Sequence, residues 1–297
     1  MNLVRKIAAA GTAGAAVGMA AAAAVSWRTA RRHREREKLR HLRDATRAAD
    51  HVCETRYPIL LVHGIAGLDW EVQRFWGRIP AALRRNGALV FAPDHQSTRS
   101  VADAGEQVAE MIDQVIAESG AEKVNIIAHS KGGLDSRWAI SVLGRAKAVA
   151  SLTTISTPHH GCAYVAMVLR MYPGPTKTLL KRVYGWFTTR AGVPEPDLLA
   201  MARDVTPQAC ERLNALMPDA PGVVYRSTGS AVLGGIWDGV VPTSSMLWGE
   251  WLGLVPAPSR FGIDHSTVID MAGFDINGFD VTEFYIQLVA DLKADGL

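Results

Sequence analysis

From Tyr57 onward, short apolar runs alternate with stretches whose apolar positions recur at helical spacing. Tyr57 to His63 predicts a strand. Phe75 to Arg85 predicts a helix closed by Asn86-Gly87, and Ala88 to Ala92 a second strand stopped by Pro93. The clearest helix is Val101 to Glu118, where Val101, Ala104, Val108, Met111, Ile112, Val115 and Ile116 make one apolar face. Ser100 stands as its N-cap and Gly120 as its stop. Val124 to Ala128, Val149 to Ile155 and Val223 to Arg226 read as strands, and Gly132 to Leu143 and Val281 to Leu292 as helices. Strands alternating with helices predict an α/β fold with a mainly parallel central sheet flanked by helices. No internal repeat is visible. Between Gly161 and Ala220 the rhythm breaks, with several prolines and the aromatics Tyr172, Tyr184, Trp186 and Phe187. This stretch predicts a helical cap inserted between sheet strands, at about 161–220; ordinary helical packing on the sheet is the alternative.

The N-terminal pattern is different. Ile7 to Trp27 has no charged residue in 21 positions, of which eleven are alanine and three glycine. At about 1.5 Å per residue such a helix spans roughly 31 Å, the thickness of a bilayer core. A membrane anchor, a cleavable signal segment and an alanine-rich soluble helix all fit this length. Arg28, Arg31, Arg32, Arg34, Arg36, Lys38, Arg40 and Arg43 follow the run, and only Arg5 and Lys6 precede it. A Lys/Arg excess marks the cytoplasmic side, which favours an anchor with the remaining chain facing the cytoplasm; secretion is the alternative. Residues 1–27 are thus read as an anchor or signal segment, 28–56 as a basic helical linker and 57–297 as the folded domain.

Charge follows the same division. Residues 1–56 carry twelve Lys/Arg and five Asp/Glu, and the rest carries twenty and twenty-four. The formal +3 of the whole chain therefore belongs to the extension, and nucleic-acid binding has no support in the mildly acidic domain. Cys53, Cys162 and Cys210 are too few and too scattered for a disulfide framework or a zinc knuckle, and three unpaired thiols are expected.

The candidate chemistry begins at Val124 to Arg137, where an apolar run ends at Ser130 and a glycine pair opens a helical pattern. A nucleophilic serine on a sharp strand-to-helix turn needs small residues two positions before and after it, because strand and helix pass close on either side. Here they are Ala128 and Gly132. A hydroxyl is a weak nucleophile at neutral pH and needs an imidazole to take its proton and a carboxylate to orient that imidazole. In this architecture the chain order is Ser, acid, His. Asp238, in Trp-Asp-Gly-Val-Val-Pro, is the candidate acid, ahead of Asp264 and Asp270. His265 is the candidate base, since it is the only histidine after residue 160; His129, His159 and His160 are weaker candidates. The tetrahedral oxyanion needs fixed N–H donors. The backbones of Lys131, next to the nucleophile, and of Ile65, after the Gly64 turn, are placed to supply them. The Lys131 side chain is expected to be exposed.

With these residues in view, the chain resembles the bacterial triacylglycerol lipases of the α/β-hydrolase superfamily from about Tyr57 to its C-terminus. The resemblance rests on Tyr-Pro-Ile-Leu-Leu-Val-His-Gly, Ala-His-Ser-Lys-Gly-Gly, Ser-Thr-Pro-His-His-Gly, Asp-Gly-Val-Val-Pro and the late histidine. It implies an α/β-hydrolase fold, a Ser130–Asp238–His265 triad, an oxyanion hole at Ile65 and Lys131, a lipid or other ester substrate, and no cofactor. Relatives of the Pseudomonas and Burkholderia type hold a calcium with an Asp two residues after the catalytic His. That position is Thr267 here, so no metal is expected. The zinc-binding insertion of thermophilic Bacillus lipases has no room, because only 66 positions separate Gly64 from Ser130. The resemblance implies a lipase or esterase. Acyl transfer, cleavage of soluble esters, or a membrane-tethered binding protein on a hydrolase fold remain as alternatives.

Overall fold

The structure is a computed structural model that describes residues 51–65, 75–171, 197–232 and 234–297. The expected anchor at 7–27, most of the basic linker at 28–56 and residues 172–196 of the expected cap lie outside the described residues. Among the described residues no helix is long and apolar enough to cross a membrane.

Six strands form one sheet: β1 (Ile59–Val62), β2 (Val90–Phe91), β3 (Val124–His129), β4 (Val149–Ile155), β5 (Val224–Gly229) and β6 (Glu250–Leu254). Their spatial order is β2-β1-β3-β4-β5-β6, and every neighbouring pair is parallel. A parallel sheet needs covering on both faces, which explains why β1, β3 and β4 are buried at every position without alternation. Side chains still alternate between faces. Ile59, Leu61, Ile127 and Ile155 pack with α1 (Ile79–Arg85) and α7 (Val281–Ala294) on one side. Leu60, Val62, Ile126, Ala128 and Leu152 pack with α2 (Val101–Ser119) and α3 (Lys131–Ser141) on the other. Burying each such side chain stabilises the fold by roughly 1.5–3 kcal/mol.

Local chemistry sets the element ends. Ser100 Oγ accepts the Asp103 N–H at the start of α2, and Gly120 closes it in the left-handed region. The helix expected from Phe75 begins only at Ile79. Gly77 turns the chain at φ +45°, and Pro80 fits only a first helical turn. β6 was not expected. It is an edge strand whose residues alternate between exposed and half-exposed, so it offers no apolar run to read.

Between β4 and β5 lie three described helices, α4 (Ala163–Met171), α5 (Leu198–Asp204) and α6 (Pro207–Leu216). Val205 and Cys210 pack on Val101 of α2 and Leu134 of α3. Arg137 of α3, fully buried, donates to Asn214 Oδ1 and the Met217 carbonyl at 2.7 Å each. The described part of the insertion is therefore fastened to the central layers.

Candidate active site

The order of strands reverses between β1 and β3, since β2 lies outside one and β4 outside the other. In open parallel sheets such a reversal leaves a crevice at the carboxyl ends of the two strands. His63, Gly64 and Ile65 leave β1 there, and Ser130 leaves β3. Ser130 has φ 54° and ψ −133°, a conformation that few non-glycine residues adopt. Its neighbours impose it. Ser130 N–H donates to the Ile155 carbonyl at 2.9 Å, and its own carbonyl accepts from Thr157 Oγ1 at 2.7 Å and from Gly133 N–H at 3.1 Å. A Cβ at Gly132 would sit 2.4 Å from the His63 carbonyl oxygen, and one at Gly64 would sit 2.7 Å from Ser130 Cβ. The spacing of small residues around Ser130 thus reflects two backbones in contact.

Asp238 and His265 arrive on loops after β5 and β6. His265 Nε2 lies 3.0 Å from Ser130 Oγ, and His265 Nδ1 lies 2.7 Å from Asp238 Oδ2. Asp238 is fully buried; its Oδ1 accepts the N–H groups of Val240 at 2.9 Å and Val241 at 2.7 Å. The His265 N–H also donates to the Asp238 carbonyl at 2.9 Å, so backbone and side chain fix the pair together. A carboxylate accepts only, so the proton of Nδ1 is committed to Asp238 and Nε2 turns its lone pair to the Ser130 hydroxyl.

This arrangement, a hydroxyl, an imidazole and a carboxylate in line at the ends of a parallel sheet, can be set against known proteins. Residues 57–232 match the family described as alpha/beta hydrolase fold. The chain belongs to the α/β-hydrolase fold family. A triacylglycerol lipase of Burkholderia plantarii is 35% identical over 224 residues, covering 67% of this chain and 62% of that protein, so the chain matches under two thirds of that relative's length. A triacylglycerol lipase of Pseudarthrobacter phenanthrenivorans is 35% identical over 223 residues, covering 67% of this chain and 69% of that protein. A solved Bacillus licheniformis lipase in its mature form superposes with TM-score 0.58 at 18% identity, over 78% of this chain and 91% of that one, which shows the shared fold.

In this α/β-hydrolase the loop carrying His265 is held by charged side chains. Asp264, considered above as an acid, turns away from the imidazole. Its two oxygens accept from Ser266 N–H (2.9 Å) and Oγ (2.6 Å) and from Thr267 N–H (3.0 Å) and Oγ1 (2.6 Å). Burial pushes the Asp264 carboxyl up, but these bonds outweigh it and hold it below its ordinary value. Asp270 is buried at φ 60° and accepts from Arg78 through its backbone N–H (2.7 Å), Nε (2.8 Å) and Nη2 (2.7 Å). Asp275 takes a further bond from Arg78 Nη2 at 3.0 Å.

The other histidines have structural surroundings. His129 is buried against Phe75 and Trp76, with its ring centroid 4.4 Å from that of His265. Burial, and the charge His265 can carry, push its pKa well below the ordinary value; the His265 backbone favours the charged ring without reaching hydrogen-bond geometry. His129 is therefore a neutral floor under His265. His159 stacks on Trp248 and meets Thr154 Oγ1 at 3.0 Å, and burial followed by the Arg137 charge keeps it neutral.

Ile65 stands at the end of the β1 turn with a partly exposed side chain. Lys131 is the first residue of α3, so its N–H has no intrahelical acceptor. The expectation that its side chain is exposed is corrected. It is fully buried, and Nζ donates to Asp135 Oδ1 at 2.7 Å and lies 3.5 Å from the Ser100 carbonyl. Helix α2 closes the space behind the elbow, and an acid four residues on meets the ammonium there. Burial pushes the Asp135 carboxyl up to about 6 against the pull of Lys131. That i, i+4 spacing was a usable signal in the sequence. Arg78, which holds Asp270 on the His265 loop, had none.

Proposed function

We propose that this α/β-hydrolase cleaves carboxylic esters of lipids through an acyl-enzyme on Ser130. The observation that carries the reading is the unbroken chain from Ser130 Oγ to His265 Nε2, 3.0 Å, and from His265 Nδ1 to Asp238 Oδ2, 2.7 Å. Ser130 Oγ attacks the ester carbonyl while His265 Nε2 takes its proton. The carbonyl oxygen becomes an oxyanion, which the N–H groups of Ile65 and Lys131 receive. Collapse expels the alcohol, protonated by His265, and leaves the acyl-serine. Water, deprotonated by His265, then releases the carboxylic acid and restores Ser130. Asp238 keeps the imidazole in one tautomer and balances the charge it gains.

The lipid assignment draws on the lipases that resemble the chain and on the surroundings of the triad. Ile65, Ile236, Trp237, Val240 and Phe261, each close in sequence to a site residue, expose apolar side chains. Such a rim suits an acyl chain better than a small polar ester. Rates on nitrophenyl esters should rise from acetate to octanoate or longer. A fluorophosphonate should label the wild-type protein and not Ser130→Ala, and the variant should lose roughly a million-fold in kcat. Labelling that survives the substitution sinks the reading. Residues 7–27 are proposed to tether the enzyme to a membrane with its domain facing the cytoplasm. Protease treatment of intact cells should then leave the domain uncut, and export would expose it.

A further inference from the structure

A second imidazole–carboxylate pair lies across the crevice from the first, and the reaction above does not use it. His63, the residue before the Gly64 turn, is buried, with 2% of its side chain exposed, while Asp94, on the loop after β2, is 58% exposed. His63 Nδ1 lies 2.7 Å from the Gly64 carbonyl oxygen, and His63 Nε2 lies 3.0 Å from Asp94 Oδ1. A carbonyl accepts only, so Nδ1 carries a proton. Nε2 faces Asp94 Oδ1, and the His95 backbone N–H also points to it at 3.3 Å, so the ring is gripped at both nitrogens. The neighbouring ring of His95, 4.2 Å away, is pushed well below its ordinary pKa by burial, then by the His63 and Lys131 charges. Burial raises the Asp94 carboxyl, yet the bond from His63, its charge and the His95 backbone N–H bring it below its ordinary value.

The acceptor at Nδ1 gives the pair its meaning. The Gly64 carbonyl belongs to the same peptide unit as the Ile65 N–H, and no peptide bond among the described residues is cis. In a trans peptide the C=O and N–H point to opposite sides. Holding the carbonyl toward His63 therefore directs the Ile65 N–H away from it, at a position where Gly64 already touches Ser130. That N–H has no backbone acceptor among the described residues. A donor on the carbonyl also polarises the peptide and makes its N–H a stronger donor. A histidine that merely fills the end of a strand needs no carboxylate beside its second nitrogen.

We infer that His63 and Asp94 are positioning residues that orient and polarise the Gly64–Ile65 peptide of the oxyanion hole. The inference rests on the hydrolase reading given above. Asp94 is its cleanest test, because an exposed side chain can be removed without leaving a cavity. Losing a whole oxyanion donor lowers kcat by about a hundredfold or more, and weakening one should lower it less. Asp94→Ala is expected to lower kcat about tenfold with KM within twofold of wild type. A boronic acid that forms a tetrahedral adduct on Ser130 should bind weaker by the same factor, and Asp94→Glu should recover most of the loss. Wild-type kcat in Asp94→Ala, a loss confined to KM, or unchanged boronic acid affinity overturns the inference. If the wild-type protein cleaves no ester, the hydrolase reading itself fails. An active wild type matched by Asp94→Ala removes only the role of Asp94 and His63.

Discussion

Ser130 is held by the sheet, whereas His265 is held by loop backbone and charged side chains. Around Ser130 the constraint is backbone on backbone: β3 runs beside β1 and β4, Gly132 leaves no space for a Cβ against the His63 carbonyl, and the Ile155 and Thr157 bonds fix both ends of the turn. Around His265 there is no strand. Its ring is tied to Asp238, which the N–H groups of Val240 and Val241 fix in turn, and its loop is tied by Asp264 to Ser266 and Thr267 and by Asp270 to Arg78. The nucleophile is thereby strained in place by the fold itself. The base depends on a set of charges, each of which one substitution can remove.

That contrast can be broken from either side. Arg78→Met should have the largest effect on stability. It leaves the fully buried Asp270 carboxylate without its cation, and such losses cost about 3–5 kcal/mol. Equilibrium urea unfolding should show the drop, and Arg78→Met combined with Asp270→Asn should recover part of it. A double variant no more stable than the single one would show that Asp270 is not the group left stranded. Gly132→Ala strikes the sheet-held half. The added methyl must displace the His63 or Val62 carbonyl, which it would meet at 2.4 and 2.8 Å. Overpacking of this kind costs about 2 kcal/mol, and kcat should fall roughly a hundredfold because Ser130 and Gly64 move together. An active, fully stable Gly132→Ala would show that the elbow has slack.

Asp264→Asn should have the smallest effect, and it depends on pH. The Asp264 carboxyl is held below its ordinary value of 3.8 in the fold, so its charged form stabilises the native state above that value. The contribution is lost as pH falls through the lower folded value. Wild type should therefore exceed Asp264→Asn by roughly 1 kcal/mol at pH 7, and the gap should close in acid strong enough to protonate Asp264 in the fold. Urea melts under the two conditions measure it; a gap that stays constant would mean that hydrogen-bond geometry, and not charge, holds the loop.

The same contrast separates what was legible in the sequence from what was not. The sheet-held half announces itself locally. An apolar run, a serine and a glycine pair within a few residues place Ser130, and the helical face of Val101 to Ile116 with its Ser100 cap and Gly120 stop appears in the structure almost residue for residue. The grouping of Asp238 and His265 with Ser130 could be suggested by chain order and by resemblance. The bonds that hold the loop could not, because Arg78 and Asp270 are 192 positions apart. β6 was missed for a different reason: as an edge strand it has exposed leucines and no continuous apolar run. The Lys131 side chain was misjudged because a charged residue beside a nucleophile suggests solvent, while its partner Asp135 lies one helical turn further on.

The three cysteine thiols of the domain add a practical consequence. None of Cys53, Cys162 and Cys210 forms a disulfide, each is almost completely shielded, and burial pushes the thiols of Cys162 and Cys210 up to about 12. A thiol reagent meets no thiolate at Cys162 or Cys210 and no exposed thiol at Cys53 on the intact molecule. Cys53 lies in the core with α7, Cys162 beside Val241 and Met246, and Cys210 against α2 and α3. Reaction with a coloured disulfide would therefore count openings of three separate regions, each reported by a native atom and with no label introduced.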